Sequence, residues 1–182
     1  MVPGVVLLTA ALAACGGSSK SATSKTTPAN GPTTTVHVAH PASDVPSESA
    51  KQICSEAVKD IQTVLGVPAK VSTPTWADHV YACNYQYPNG VMRMSVKELS
   101  NADETTAYYN SLATKLGKTQ DLESLGQGAF STKNGSVVVR KDYKVLLVDT
   151  SGLPVQFGVP PDTRNNNAIN VAYTIMGCWT GA

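Results

Sequence analysis

VYACNYQYPNGVMRMSVKEL, residues 80–99, is the stretch on which the fold turns. In its second half Met92, Met94 and Val96 alternate with Arg93, Ser95 and Lys97. Successive side chains of a strand project to opposite faces, so the pattern predicts one buried and one wet face. The first half, Val80 to Tyr87, keeps the same period and places Tyr81, Cys83, Tyr85 and Tyr87 on one side. Between the halves stands Pro88-Asn89-Gly90, whose Asn-Gly pair accepts the positive φ of a tight turn. An antiparallel hairpin is expected here, and the rest of the domain must cover its apolar face.

Upstream, Cys54, Ala57, Val58, Ile61, Val64 and Leu65 recur at helical spacing and predict one helix from about Ser49 to Leu65. Gly66 supplies its cap, and Pro68 prevents continuation. Downstream, a second helix is expected over about Ala102 to Leu116, with Ser100 and Asp103 as a capping-box-like pair and Gly117 at its end. Thr106, Tyr109, Leu112, Ala113 and Leu116 form its inner stripe. Three strands follow, Ala129–Thr132, Ser136–Arg140 and Lys144–Asp149, joined by turns at 133–135 and 141–143. A Pro-interrupted loop, 153–162, leads to a last helix over about Asn167 to Met176, with Ala168, Ala172, Ile175 and Met176 on one side. This order predicts an α+β domain: an antiparallel sheet of about five strands with helices packed on one face.

The chain has 182 residues, of which 42% are hydrophobic, enough for one ordinary domain. Its 14 basic and 13 acidic residues leave a formal charge of +1. So even a balance gives no long-range field for a polyanion, which argues against nucleic acid as a partner.

Val5 to Ala14 is an apolar run broken only by Thr9. A spanning helix needs roughly 20 apolar residues, so this run has the size of a signal-peptide core instead. Leu12-Ala13-Ala14-Cys15, followed by Gly16-Gly17-Ser18-Ser19, resembles a bacterial lipobox. That resemblance implies cleavage after Ala14, leaving 1–14 as signal peptide, and a diacylglyceryl group on the Cys15 thiol. Two or three acyl chains anchor stably, at about 0.8 kcal/mol per buried CH₂. Nothing before Lys20 is charged, whereas a signal peptide ordinarily begins with a basic segment; a start upstream of Met1 would supply one. From Cys15 to Pro46 the chain is Gly, Ser, Thr, Ala and Pro with few large apolar residues, and is expected to be a disordered tether with an end-to-end distance of roughly 30 Å. Its Thr/Pro tracts resemble those that actinobacterial secretion pathways mannosylate; an unmodified spacer is the alternative. Residues 47–182 then form the single globular domain.

Four features together resemble the small two-cysteine lipoproteins of mycobacteria and related actinobacteria. They are the lipobox with its Thr/Pro tether, a cysteine in the first helix (Cys54), a cysteine before an aromatic in a strand (Cys83-Asn84-Tyr85), and the Leu125–Phe130 segment leading into a Gly-turn hairpin. The resemblance implies an extracytoplasmic α+β domain used for binding, sensing or envelope accessory roles, held on the cell membrane, with no catalytic residues and an unknown envelope protein or lipid as partner.

Four cysteines are present. In an oxidising compartment a helix thiol and a strand thiol facing one core pair, which favours Cys54–Cys83; Cys54–Cys178 and Cys83–Cys178 remain open. Cys178 is then a buried thiol or an intermolecular partner. His37 and His40 lie in the tether with no further ligand at metal spacing, so no metal or other cofactor is expected. Asp78-His79 lacks a Gly-x-Ser-x-Gly elbow and reads as loop. Gly126-x-Gly128 lacks the third glycine of a dinucleotide loop and reads as a backbone bend. Tyr81, Tyr85 and Tyr87 either pack under a helix or, in part, form an exposed binding platform. The function expected is non-enzymatic binding. The alternatives are a carrier of an acyl lipid, with Met92, Met94, Val96 and the tyrosines lining a cavity, and an envelope hydrolase.

Overall fold

Val80 to Leu99 does fold back on itself in the computed structural model, which describes residues 43–179. The elements in order are α1 (Glu48–Gln52), α2 (Val58–Leu65), β1 (Lys70–Val71), β2 (Thr75–Ala77), β3 (Val80–Tyr87), β4 (Gly90–Glu98), α3 (Ala102–Leu116), β5 (Lys118–Asp121), β6 (Gly128–Thr132), β7 (Val137–Lys141), β8 (Lys144–Gly152), β9 (Gln156–Phe157), β10 (Asp162–Thr163) and α4 (Arg164–Cys178). The signal peptide, Cys15, His37, His40 and the tether up to residue 42 lie outside the described residues.

The principal sheet is antiparallel and has eight strands in the order β1-β3-β4-β8-β7-β6-β5, with β2 also on β3. The expected five are all present; β1, β2 and β5 are additional. They are short, and β5 is exposed at every residue, so no alternation of apolar side chains announces them. What makes them strands is the free backbone edge of β3 and of β6, whose N–H and C=O groups need partners.

Register assigns the two faces. Cys83 lies opposite Met94, Tyr85 opposite Met92, Met94 opposite Val148 and Val96 opposite Leu146. These residues share one core with Ala50, Ile53 and Ala57 of the first helical segment, Ile61 and Leu65 of α2, and Ala168, Val171, Ala172 and Ile175 of α4. Phe130, Val138 and Val145 have the opposite parity and form a second cluster with Leu112 of α3, flanked by Tyr108, Tyr109 and Leu116. Helices therefore cover both faces of the sheet, not one. The reason is local: Val137, Val138 and Val139 are consecutive and all buried, so the β6–β8 half is apolar on both sides. A sheet apolar on both sides needs two covers.

The first helix is not continuous over 49–65. It breaks between Gln52 and Val58, where hydrogen bonds shorten to Cys54 N–H→Lys51 O (3.1 Å) and Ser55 N–H→Gln52 O (3.2 Å) and then lengthen to Ala57 N–H→Gln52 O (3.1 Å). The break leaves the Ile53 carbonyl without a helical partner, and the Tyr85 hydroxyl donates to it at 2.6 Å. Tertiary contact has overridden helical periodicity. At α3 the capping box sits one residue later than expected. Asn101 Oδ1 accepts from Glu104 N–H at 2.9 Å, and the Glu104 carboxylate accepts from Ser100 N–H at 3.2 Å. α4 is longer than expected, starting from the Thr163 cap, whose hydroxyl accepts from Asn166 N–H at 3.1 Å.

In the β3–β4 turn neither Asn89 nor Gly90 has positive φ. Pro88 and Asn89 are the turn's centre, and Tyr87 pairs with Gly90. Gly90 is needed for a different reason: a Cβ there would stand 2.6 Å from the Gly152 carbonyl oxygen of β8. Gly66 does cap α2 as expected, at φ +64°, where a Cβ would meet the Val159 carbonyl oxygen at 2.2 Å.

Candidate functional site

α3 covers only the β6–β8 half of its face. Over β3 and β4 that same face stays open, and parity puts Lys70, Ser72, Thr75, Ala82, Asn84, Arg93, Ser95 and Lys97 on it. β1 and β2 both lie along β3, one at each end, and Ser72–Pro74 bridges them. Ser72 fastens this bridge to the sheet: its N–H donates to the Asn84 carbonyl at 2.9 Å, and its Oγ accepts from Asn84 N–H at 3.0 Å. The result is an open cleft of about 310 Å³ lined by Ser72, Thr73, Thr75, Ala82, Cys83, Asn84 and Arg93.

Arg93 is the charged group of this cleft. Its Nε donates to the Asn84 side-chain oxygen at 3.2 Å, which sets the plane of the guanidinium. Among the described residues Arg93 makes no ion pair; those present join Lys51 to Glu48 and Lys118 to Asp121. The carboxylate opposite in register, Asp149, accepts at Oδ1 from Ser136 Oγ (3.1 Å) and from Ser151 N–H (3.0 Å) and makes no ion pair with Arg93. The two terminal guanidinium nitrogens thus carry donors with no partner among the described residues. Arg93 is exposed while Asn84 and Ser72 are half-buried, so the cleft is a fixed polar floor open to solvent.

The Cys54–Cys83 bridge forms, with a Cα–Cα distance of 6.0 Å, inside the ordinary range. Cys178, the last residue of α4, takes no part in it. The tyrosine row is interior, not a platform: Tyr85 and Tyr87 are buried and Tyr81 is half-buried. Burial raises the hydroxyl pKa of all three; for Tyr85 the neighbouring Tyr87 adds to the rise, and for Tyr81 Lys51 opposes it. The Tyr87 hydroxyl is buried with no hydrogen-bond partner, its ring edge-on to Phe157 at 4.8 Å. Met92, Met94 and Val96 are 1% exposed or less and packed in the same core, so they line no open cavity.

Asp78 and His79 make the β2–β3 turn, both at positive φ. The His79 ring stands edge-on to Trp76, 5.8 Å away, with Nδ1 3.3 Å from the Ser43 carbonyl oxygen. Trp76 Nε1 donates to the Asp44 carbonyl at 2.9 Å, so the incoming chain is already docked at residues 43–44. Gly126 lies in the bend before β6, beside buried Leu125. Among the described residues no three potential metal ligands cluster, and no helix is long and apolar enough to cross a membrane.

Family models, curated proteins and solved structures offer no match to this chain. Its own geometry is what bears on its function. The cleft was not anticipated from sequence, where Arg93 reads only as a wet-face residue; the missing signal is the pair of short edge strands that wall it in.

Proposed function

We propose that this chain is a lipid-anchored binding domain of a bacterial envelope, held outside the cytoplasmic membrane through Cys15, and that the open cleft beside Arg93 is its ligand site. The cleft carries the reading: Asn84 holds the exposed Arg93 guanidinium at an open concavity of the sheet face, where its outer donors can meet a ligand. Leu12 to Cys15 supports the anchor, and a disulfide suits an oxidising compartment. The likeness to the two-cysteine actinobacterial lipoproteins points the same way.

Binding without catalysis accords with the site. The cleft offers hydroxyls, an amide and a guanidinium, but neither a carboxylate nor an imidazole to act as base. The hydrolase alternative has less support, since the His79 side chain meets the Ser43 backbone carbonyl and not a serine hydroxyl. The carrier alternative needs the apolar side chains that α1, α2 and α4 already pack against.

Two measurements test the proposal. In detergent phase partition the native chain is expected in the detergent phase, and Cys15→Ala in the aqueous phase; equal partition refutes the anchor. A photo-crosslinking residue at Thr73 is expected to form discrete adducts in intact cells, and one at exposed Thr114 on α3 is not. Identical adduct patterns at both positions refute the cleft as ligand site.

A further inference from the structure

We infer that the cleft binds its ligand through an oxyanion, a carboxylate or phosphate group seated on Arg93. This rests on the cleft being the ligand site, and it adds the chemical class of what enters.

Three observations lead there. The first is charge. The open half of the sheet face carries three cations, Lys70, Arg93 and Lys97, while Asp149 at its inner boundary is the carboxylate nearest in register to Arg93. In a chain with a formal charge of only +1, this is a local excess. Lys97 is held by the Asp78 carbonyl at the turn, which leaves Arg93 to make the direct contact.

The second is the direction of the donors. Asn84 takes the Nε–H, so the end-on fork of Nη1 and Nη2 is what remains. That planar fork matches two oxygens of a carboxylate or phosphate, and such bidentate, charge-assisted pairs are stronger than neutral hydrogen bonds. The Thr75 hydroxyl in the same cleft donates to the Ala82 carbonyl, while those of Ser72 and Thr73 can donate to the oxygens the fork leaves over.

The third is what the lining lacks. Its apolar side chain is Ala82, since the Cys83 side chain belongs to the core face, and it holds no aromatic ring. A sugar ring has nothing to stack on, and an acyl chain has no wall to lie against. The anionic group is the part of a ligand this site can recognise.

The test uses the full lipid-anchored chain in non-ionic detergent, titrated by NMR or calorimetry with inorganic phosphate, with acetate, and with dihexanoyl phosphatidylglycerol against dihexanoyl phosphatidylcholine. Saturable binding of at least one anionic probe is expected, weakened at least tenfold by Arg93→Gln, weakened less by Arg93→Lys, and unchanged by Lys118→Gln on β5. Arg93 is exposed, so the variant is expected to fold, checked by an unchanged thermal midpoint. Binding of free phosphate or acetate identifies a soluble anion; binding of phosphatidylglycerol alone identifies a lipid headgroup. The inference is overturned if no anionic probe binds in an Arg93-dependent way, or if Lys118→Gln weakens binding as much as Arg93→Gln. Should Thr73 still form its adducts in that event, the cleft remains a binding site and only the oxyanion is wrong.

Discussion

Tyr85 and Tyr87 sit two residues apart on one strand, both buried, and removing their hydroxyls is expected to have opposite consequences. The Tyr85 hydroxyl is the donor for the Ile53 carbonyl, at 2.6 Å, where the first helix breaks. Cys83 Sγ also lies 3.8 Å from that carbonyl, but a bridged sulfur carries no hydrogen and cannot replace the phenol. Tyr85→Phe therefore removes one hydrogen bond and strands a buried acceptor. A stranded buried group costs about 1–3 kcal/mol, and the site is closed enough that little of this is recovered from water. The Tyr87 hydroxyl, by contrast, is buried with no partner, so its desolvation is already a cost to the folded state. Tyr87→Phe keeps the ring against Phe157 and is expected to be neutral or to stabilise by up to ~1 kcal/mol. Urea unfolding of the two variants, compared at equal m-value, gives both numbers directly. A loss for Tyr87→Phe as large as that for Tyr85→Phe would refute the reasoning, because then ring packing and not hydroxyl pairing sets both.

Three further expectations follow from the same contacts. Replacing both bridge cysteines, Cys54→Ala with Cys83→Ala, opens a loop of sequence separation 29 and is expected to cost about 3.5 kcal/mol by the chain-entropy relation, read as a lower urea midpoint; no change in midpoint refutes it. Alkaline stability depends on the buried phenols. Their folded pKa values lie above the unfolded value of about 10, so their contribution is complete below pH 10 and falls above it, by up to ~1.4 kcal/mol per pH unit for each tyrosine. A shallower fall in Tyr87→Phe is the check, and an identical slope counts against it. Gly66→Ala forces a left-handed backbone on alanine and drives its methyl into the Val159 carbonyl, 2.2 Å from the Cβ position. A loss of at least ~2 kcal/mol in thermal or urea unfolding is expected, and a loss under 0.5 kcal/mol refutes that reading.

The elements legible from sequence are those whose side chains follow one period and meet one partner. α3 and β3 have the predicted limits, and β4 is displaced by one residue, because alternation and a cap coincide there. Helical spacing predicts one continuous first helix because Ala57, Ile61 and Leu65 stay in phase across the break. Nothing in that spacing reveals that Tyr85 and Cys83 pull residues 53–54 onto the sheet. The second helical layer was legible in principle from Val137-Val138-Val139, a run that no one-sided strand requires. β1, β2 and β5 are specified by their partners' edges and not by their own side chains, so the cleft that β1 and β2 enclose could not be read locally.

β8 follows β4 in space but not in time: α3 and three strands are made between them. A chain that emerges N-terminus first must therefore hold β4's inner edge, from Val91 to Glu98, unpaired until residue 152 has appeared. During that interval Met92, Met94 and Val96 lack both their strand neighbour and α4. The early hairpin has local insurance, the bridge to Cys54 and the Tyr85–Ile53 contact, both made from segments that precede β4 or belong to the hairpin, the bridge once they reach an oxidising compartment. Sheet closure is the late, non-local event, and such events are slow and exposed to aggregation. Nascent chains halted before β8 should then be the ones that chaperones and proteases hold, and chains halted after it should be released.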